Sequence, residues 1–325
     1  MPTAEQLKAL IRTHAEGDDE RFYAVALQLA AREARQGHTK LAQELRDLVD
    51  EVRARPKSLP AKPVPIVQPR GELAGLLSAT YPKIRLADMT LDHLVRTRLD
   101  RVLMEQRNRA SLREHGFSPI RKLLLSGPPG TGKTMTSAAL AGELGLALFT
   151  IQLDGLITKY LGETAAKLRL IFDAIHATRA VYLFDEFDAL GGERSARNDV
   201  GEIRRVLTSF LQFLEVDDSD SLIVAATNHP HLLDEALFRR FDSLIEYCLP
   251  SQSLAEQLIR ARLAHLDITD VDWAKVREAT DRLSHADVTR ACEQVAKNAI
   301  LERRNYVRTK ELLEALAERR KMRSL

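Results

Sequence analysis

Cysteine is nearly absent: Cys248 and Cys292 are the only two in 325 residues. Neither stands in a CxxC or Cys/His cluster, which excludes a disulfide framework and a zinc site of the usual ligand spacing. Both fall in strand- or helix-like runs, a pattern that predicts buried thiols. Neither sign of charge is in excess, with 48 Lys and Arg against 46 Asp and Glu and a formal net charge of +2. That balance gives no electrostatic case for nucleic acid or a membrane surface as partner. No apolar run approaches the roughly 20 residues of a membrane span. The opening MPTAEQLKAL lacks a signal-peptide profile, so the expectation is a cytoplasmic protein. No HExxH occurs, so the chain carries no zinc-protease motif of its own.

What is present divides into four stretches. Over 1–54, apolar residues recur at helical spacing in three runs, including Leu7, Leu10 and Ile11, then Phe22, Val25 and Leu29, then Leu41, Leu45 and Leu48. This predicts a small all-helical module. Residues 55–80 open with closely spaced prolines (Pro56, Pro60, Pro63, Pro65, Pro69), which disfavour helix and favour extended chain. The reading is a linker, with a proline-motif ligand as the alternative. Over 81–250, short aliphatic runs alternate with longer amphipathic ones, the pattern of a parallel sheet with helices on both faces. The stretch 251–325 reads as helical throughout, the size of a small bundle.

The chemistry lies in the third stretch. Gly127-Pro128-Pro129-Gly130-Thr131-Gly132-Lys133-Thr134 follows a predicted strand, Lys122–Leu125, and opens a predicted helix. Glycines at this spacing let backbone N–H groups wrap phosphate oxygens at a helix N-terminus. Lys133 would then neutralise the β and γ phosphates of ATP, and Thr134 would place its hydroxyl on Mg²⁺. The run Val181-Tyr-Leu-Phe-Asp185-Glu186 reads as a buried strand delivering two carboxylates to the same edge. Asp185 suits the Mg²⁺ shell, and Glu186 suits orientation of an attacking water. A third strand over 222–226 ends in Thr227-Asn228, whose amide suits both that water and the γ-phosphate, with a simple turn as the alternative. Beyond it, a short helix ends in Arg239-Arg240, either plain helix-end cations or arginines for a neighbour's γ-phosphate.

With these motifs in hand, residues from about 82 onward resemble the AAA clade of AAA+ ATPases, the group that includes FtsH, katanin, spastin and the proteasomal ATPases. The matching stretches are GPPGTGKT (127–134), KYLGET (159–164), VYLFDEFDAL (181–190), AATN (225–228), DEALFRRFD (234–242) and LSHAD (283–287). The resemblance implies a P-loop NTPase α/β subdomain over 81–250 and a helical lid over 251–325. It also implies a homo-oligomer, a hexameric ring with ATP between subunits. Asn228 then matches the sensor residue, and Arg239 and Arg240 match the paired arginine fingers. The Pro-Gly that many relatives have between the two arginines is missing here, and Arg240, directly before Phe241-Asp242, is the better match. Ser284-His285-Ala286-Asp287 replaces the usual Ser-Gly-Ala-Asp. It reads as a capping box, with Ala286 also lining the adenine pocket.

Lys159-Tyr160-Leu161 matches the family's central-pore loop, where an aromatic grips a polypeptide substrate; a tyrosine packed on its own subdomain is the alternative. The leading functional expectation is a protein-remodelling motor. Its N-terminal module would recruit substrate, an adaptor or a separate protease. A clamp-loader-, initiator- or transposition-regulator-like ATPase and a nucleotide-switched scaffold are the other classes.

Overall fold

The computed structural model describes residues 71–323 other than 157–160, 191–199 and 234, together with Pro69 and the isolated positions Ala30, Gln43 and Asp47. The chain divides into two compact units, Met1–Val64 and Pro65–Leu325. The helical module expected over 1–54 and most of the proline-rich stretch lie outside the described residues, as do Lys159 and Tyr160.

Among the described residues, six strands form one sheet in the order β1-β3-β4-β5-β2-β6. These are β1 (Leu77–Thr80), β2 (Lys122–Ser126), β3 (Leu148–Ile151), β4 (Val181–Phe184), β5 (Leu222–Thr227) and β6 (Ser243–Glu246). All neighbours run parallel except β1, which pairs antiparallel with β3. The linker expected over 55–80 therefore stops short. Its last residues form a 3-10 turn at Gly71–Gly75 and then β1. The ladder that fixes β1, from Leu77 opposite Ile151 to Thr80 opposite Leu148, joins residues about seventy positions apart. Local composition carries no trace of that pairing.

Strand alternation places the core. Leu124, Phe149, Tyr182, Phe184, Ile223 and Ala225 face one side, against α3 (Leu161–Ala177) and α4 (Val200–Val216). Leu123, Leu125, Leu148, Leu183, Val224 and Ile245 face the other, against α1 (His93–Arg107) and α2 (Lys133–Leu144). Both faces are covered, so β2, β4 and β5 are buried along their whole lengths and read as continuous apolar runs. The first face is stapled by an aromatic cluster in which Phe172, Phe184, Phe187 and Phe210 meet at 4.8–6.4 Å between ring centroids. Truncating one such ring to alanine costs about 3–5 kcal/mol.

The same alternation corrects one expectation. Ile245 and Tyr247 point inward while Glu246 and Cys248 point outward, so Cys248 is exposed. Cys292, on a helix, is buried as expected, and burial pushes its thiol up to about 12.

The lid holds its own core, formed by α5 (Gln252–Arg262), α6 (Trp273–Ala279), α7 (His285–Leu301) and α8 (Thr309–Arg323). Ser284 caps α7. Its hydroxyl accepts from Asp287 N–H while the Asp287 carboxylate accepts from Ser284 N–H, a reciprocal box worth about 1 kcal/mol. Arg260 stacks on Trp273 at 3.8 Å, tying α5 to α6. Arg320 on α8 donates to the carbonyls of Glu278, Ala279 and Asp281 and so serves the end of α6.

Candidate active site

The phosphate loop runs from the end of β2 into α2, and two of its glycines are required by geometry. Gly127 has φ +142°, and a methyl there would overlap the Tyr247 carbonyl. Gly130 has φ +75°, and a methyl there would sit 2.7 Å from Ser284 Oγ and 3.0 Å from the Ala286 methyl. The loop is held from beneath by Tyr247, whose N–H donates to Ser126 C=O at 2.7 Å. The Tyr247 phenol shares a buried hydrogen bond of 2.7 Å with Thr136 on α2.

Lys133 is buried, and its ammonium donates to the carbonyls of Gly127 at 2.8 Å and Pro128 at 2.9 Å. Burial lowers its pKa below the ordinary lysine value, with Asp185 and Asp188 opposing the shift. A half-desolvated cation resting on its own loop is well suited to an anion. Thr134 Oγ1 donates to Asp185 Oδ2 at 2.7 Å, which brings two oxygen ligands together across 51 positions of sequence. Hard oxygen donors beside a phosphate cradle fit Mg²⁺.

Glu186 follows at the tip of β4. It is exposed and adopts φ +50°, a left-handed conformation uncommon for a non-glycine residue. Glu186 lines the same cleft as Lys133, Thr134, Asp185 and Asn228. That cleft has a volume of about 500 Å³, and the lid contributes Leu258, Arg262 and Ala286 to its lining.

One functional residue went unread in the sequence. Asp188 Oδ1 accepts from Thr227 Oγ1 at 2.9 Å and from Asn228 N–H at 3.2 Å. It therefore pins the tip of β5 beside the tip of β4 and fixes where Asn228 stands. The only sequence signal was its place three residues after Asp185, on the turn Phe187–Leu190.

Arg239 and Arg240 lie elsewhere. Neither lines the cleft. Asp242, two residues after Arg240, accepts from the N–H groups of Arg121 and Lys122 at 2.7 and 2.9 Å, at the start of β2. The loop Gly127–Thr134 follows the other end of that strand, whose five residues span about 17 Å at roughly 3.3 Å each. Arg240 Nε donates to Glu215 at 3.1 Å on the flank of α4. Leu161, the last residue of the expected pore-loop triplet, is the first of α3.

Comparison with known proteins agrees with this geometry. Residues 123–249 match the model of the ATPase family associated with various cellular activities (AAA). The uncharacterized AAA family ATPase y4kL of Sinorhizobium fredii is 32% identical over 324 residues, covering 100% of this chain and 97% of that one. The proteasome-activating nucleotidase of Saccharolobus solfataricus is 33% identical, over 82% of this chain and 70% of its own. That of Pyrococcus abyssi is 35% identical over 62% of this chain, a match spanning only 53% of the nucleotidase. Among solved structures, the FIGL-1 AAA domain superposes with a TM-score of 0.60 at 27% identity, covering 74% of this chain and 85% of that one.

Proposed function

This chain belongs to the AAA family of ATPases, and from that premise we propose that it is a ring-forming motor that spends ATP on remodelling protein substrates. The observation that carries the oligomer is the separation just described. Arg239 and Arg240 sit at the opposite end of β2 from their own phosphate loop, so they can reach a γ-phosphate only in a neighbouring copy. The active site is then completed by two subunits, as a closed ring requires.

In this reading the glycine-rich loop and Lys133 hold the phosphates of ATP. Thr134 and Asp185 are the residues that would hold Mg²⁺, which neutralises charge on the β and γ phosphates when bound. Glu186 accepts the proton of the attacking water while its oxygen bonds to the γ-phosphorus. The bond to the bridging oxygen breaks, and ADP leaves with the electron pair. Asn228 orients the water and the γ-phosphate, and Arg240 of the adjacent copy offsets charge in the transition state.

Protein as the substrate is supported by the similarity to proteasome-activating nucleotidases and by Lys159-Tyr160-Leu161 at the entry to α3. An aromatic with two torsions can wedge between side chains of an extended peptide at modest entropic cost. The N-terminal module and proline-rich stretch act as the recruiting arm, for substrate directly or for an adaptor or separate protease.

The test is a substrate trap. Tagged Glu186→Gln chain, purified with ATP from its native cells, should retain protein that is lost when Tyr160→Ala is added. Partners indifferent to Tyr160, or captured nucleic acid that nuclease removes, would replace this reading with the scaffold or the nucleic-acid class.

A further inference from the structure

Tyr247 directly follows β6 and is buried. It is the one aromatic among the buried residues described on its face of the sheet; the others are aliphatic, such as Leu123, Leu140 and Ile245. Its phenol meets the fully buried Thr136 hydroxyl at 2.7 Å. An aliphatic pair would fill this space without desolvating two hydroxyls. Exchanging both partners of a buried hydrogen bond for apolar groups of the same shape is close to neutral for folding. Stability alone therefore does not account for the polar pair.

What the pair fixes is the phosphate loop. Thr136 Oγ1 donates to Gly132 C=O at 3.0 Å, and Thr136 N–H donates to the same carbonyl at 2.9 Å. The threonine hydroxyl has one proton, so the phenol is the donor in the Tyr247–Thr136 bond. Burial pushes the phenol up to about 12, with the Thr136 bond opposing, so it keeps its proton at neutral pH. A threonine bonding back to the carbonyl four residues earlier is ordinary on a helix. Here the same oxygen is also held from a segment 111 positions away.

The other end of the loop is held by the same residue. Tyr247 N–H donates to Ser126 C=O at 2.7 Å, and the Tyr247 carbonyl leaves no room for a side chain at Gly127. Gly127 C=O in turn accepts from the Lys133 ammonium. Two further contacts, Gly127 N–H to Thr227 C=O and Ala286 N–H to Gly130 C=O, each touch the loop at one point. Tyr247 reaches both ends, Ser126 and Gly127 through its backbone and Gly132 through its phenol and Thr136.

We propose that Tyr247 is a positioning residue for ATP, setting the spacing between the two ends of the phosphate loop and thereby the affinity for the triphosphate. It acts through Ser126, Gly127 and Gly132 and not on the nucleotide. The role rests on the cleft being the nucleotide site, and the experiment separates the two.

Calorimetric titration of the full chain with Mg²⁺ would use two probes, ATP and inorganic tripolyphosphate, beside a thermal melt of each variant. Tyr247→Phe keeps the ring and removes the donor. It should weaken both probes by about three- to tenfold, the scale of one hydrogen bond. Thr136→Val should weaken both at least as much, and should lower the melting temperature because the buried phenol loses its partner. The double variant decides the matter. Its apolar pair should bring the melting temperature back toward that of the unsubstituted chain, while affinity stays as low as in Thr136→Val.

Recovery of affinity together with melting temperature would overturn the proposal and leave the pair as a packing contact. So would unchanged affinity in Tyr247→Phe, or a loss with ATP that tripolyphosphate does not share. Binding of neither probe by the unsubstituted chain would overturn the nucleotide-site reading itself, and this role with it.

Discussion

The N–H of Ala286 donates to the carbonyl of Gly130 at 3.0 Å, so the first turn of the lid is hydrogen-bonded directly onto the phosphate loop. A shift of that loop on taking up phosphate would carry the start of α7 with it through this contact. The coupling is tight because Gly130 leaves no room, with Ser284 Oγ 2.7 Å and the Ala286 methyl 3.0 Å from where a Cβ would stand.

Gly130→Ala should therefore separate loop from lid. Positive φ at a non-glycine residue costs about 1–2 kcal/mol, and the overlap adds to it. The expected result is ATP affinity down by at least tenfold with a smaller fall in melting temperature. Fluorescent-nucleotide titration beside a thermal melt checks it, and unchanged affinity would contradict the coupling.

Glu186→Gln should bind ATP as the unsubstituted chain does and hydrolyse it at least about a hundredfold more slowly, the usual scale for losing a positioned base. The amide keeps the shape and removes the proton acceptor. Single-turnover phosphate release measures this directly, and turnover within a few-fold of normal would exclude the assigned role.

Asp188 acts through Asn228 and Thr227, not on substrate. Asp188→Ala removes the acceptor of the buried Thr227 hydroxyl proton, whose oxygen still accepts from His229 N–H, and of Asn228 N–H, at a cost of about 1–3 kcal/mol. It should lower kcat while ATP binding is kept. Equal effects on both would point to general damage, which Asp188→Asn, retaining one acceptor oxygen, is expected to spare.

Arg240→Ala chains should bind ATP and hydrolyse it poorly. Mixed with Lys133→Ala chains, which hold ATP badly but carry an intact arginine, they should regain activity in proportion to mixed interfaces. The ion pair with Glu215 is largely exposed and worth little, and a thermal melt of the variant separates lost folding from lost hydrolysis. Absence of rescue at every mixing ratio would argue for a site confined to one chain.

Acid should destabilise the nucleotide-free protein partly through His285. Burial holds its folded pKa below the ordinary histidine value, so the unfolded chain takes up the proton first and stability falls as pH drops through about 6.5. Above that pH both states are neutral and the residue contributes no slope. Melting curves of the unsubstituted chain and His285→Asn should converge above neutrality and diverge below it, with the variant less sensitive. Parallel curves would show that burial does not hold in solution. Arg262, Arg290 and Glu293 share the cleft and are common to both proteins.

Much of the site was legible in sequence because its parts are local. Glycines before a Lys-Thr pair, and two carboxylates after four buried residues, are strand-to-helix and strand-to-loop junctions written in adjacent positions. The apolar runs of β2, β4 and β5 likewise need only their own composition to be recognised. Which residues meet across the fold was another matter. The pairing of β1 with β3 and the hydrogen bonds that Asp188 accepts from the tip of β5 arise between segments far apart in the chain.

The sequence by itself determined the class of chemistry, since the backbone wrap and the carboxylate pair follow from residue type and spacing. Only the tertiary structure decided that Arg239 and Arg240 stand a strand's length from their own phosphate loop, and that the first turn of α7 is hydrogen-bonded onto that loop. Distances through space are set by strand order and by lid packing, and those are sums over contacts that no single stretch of sequence contains.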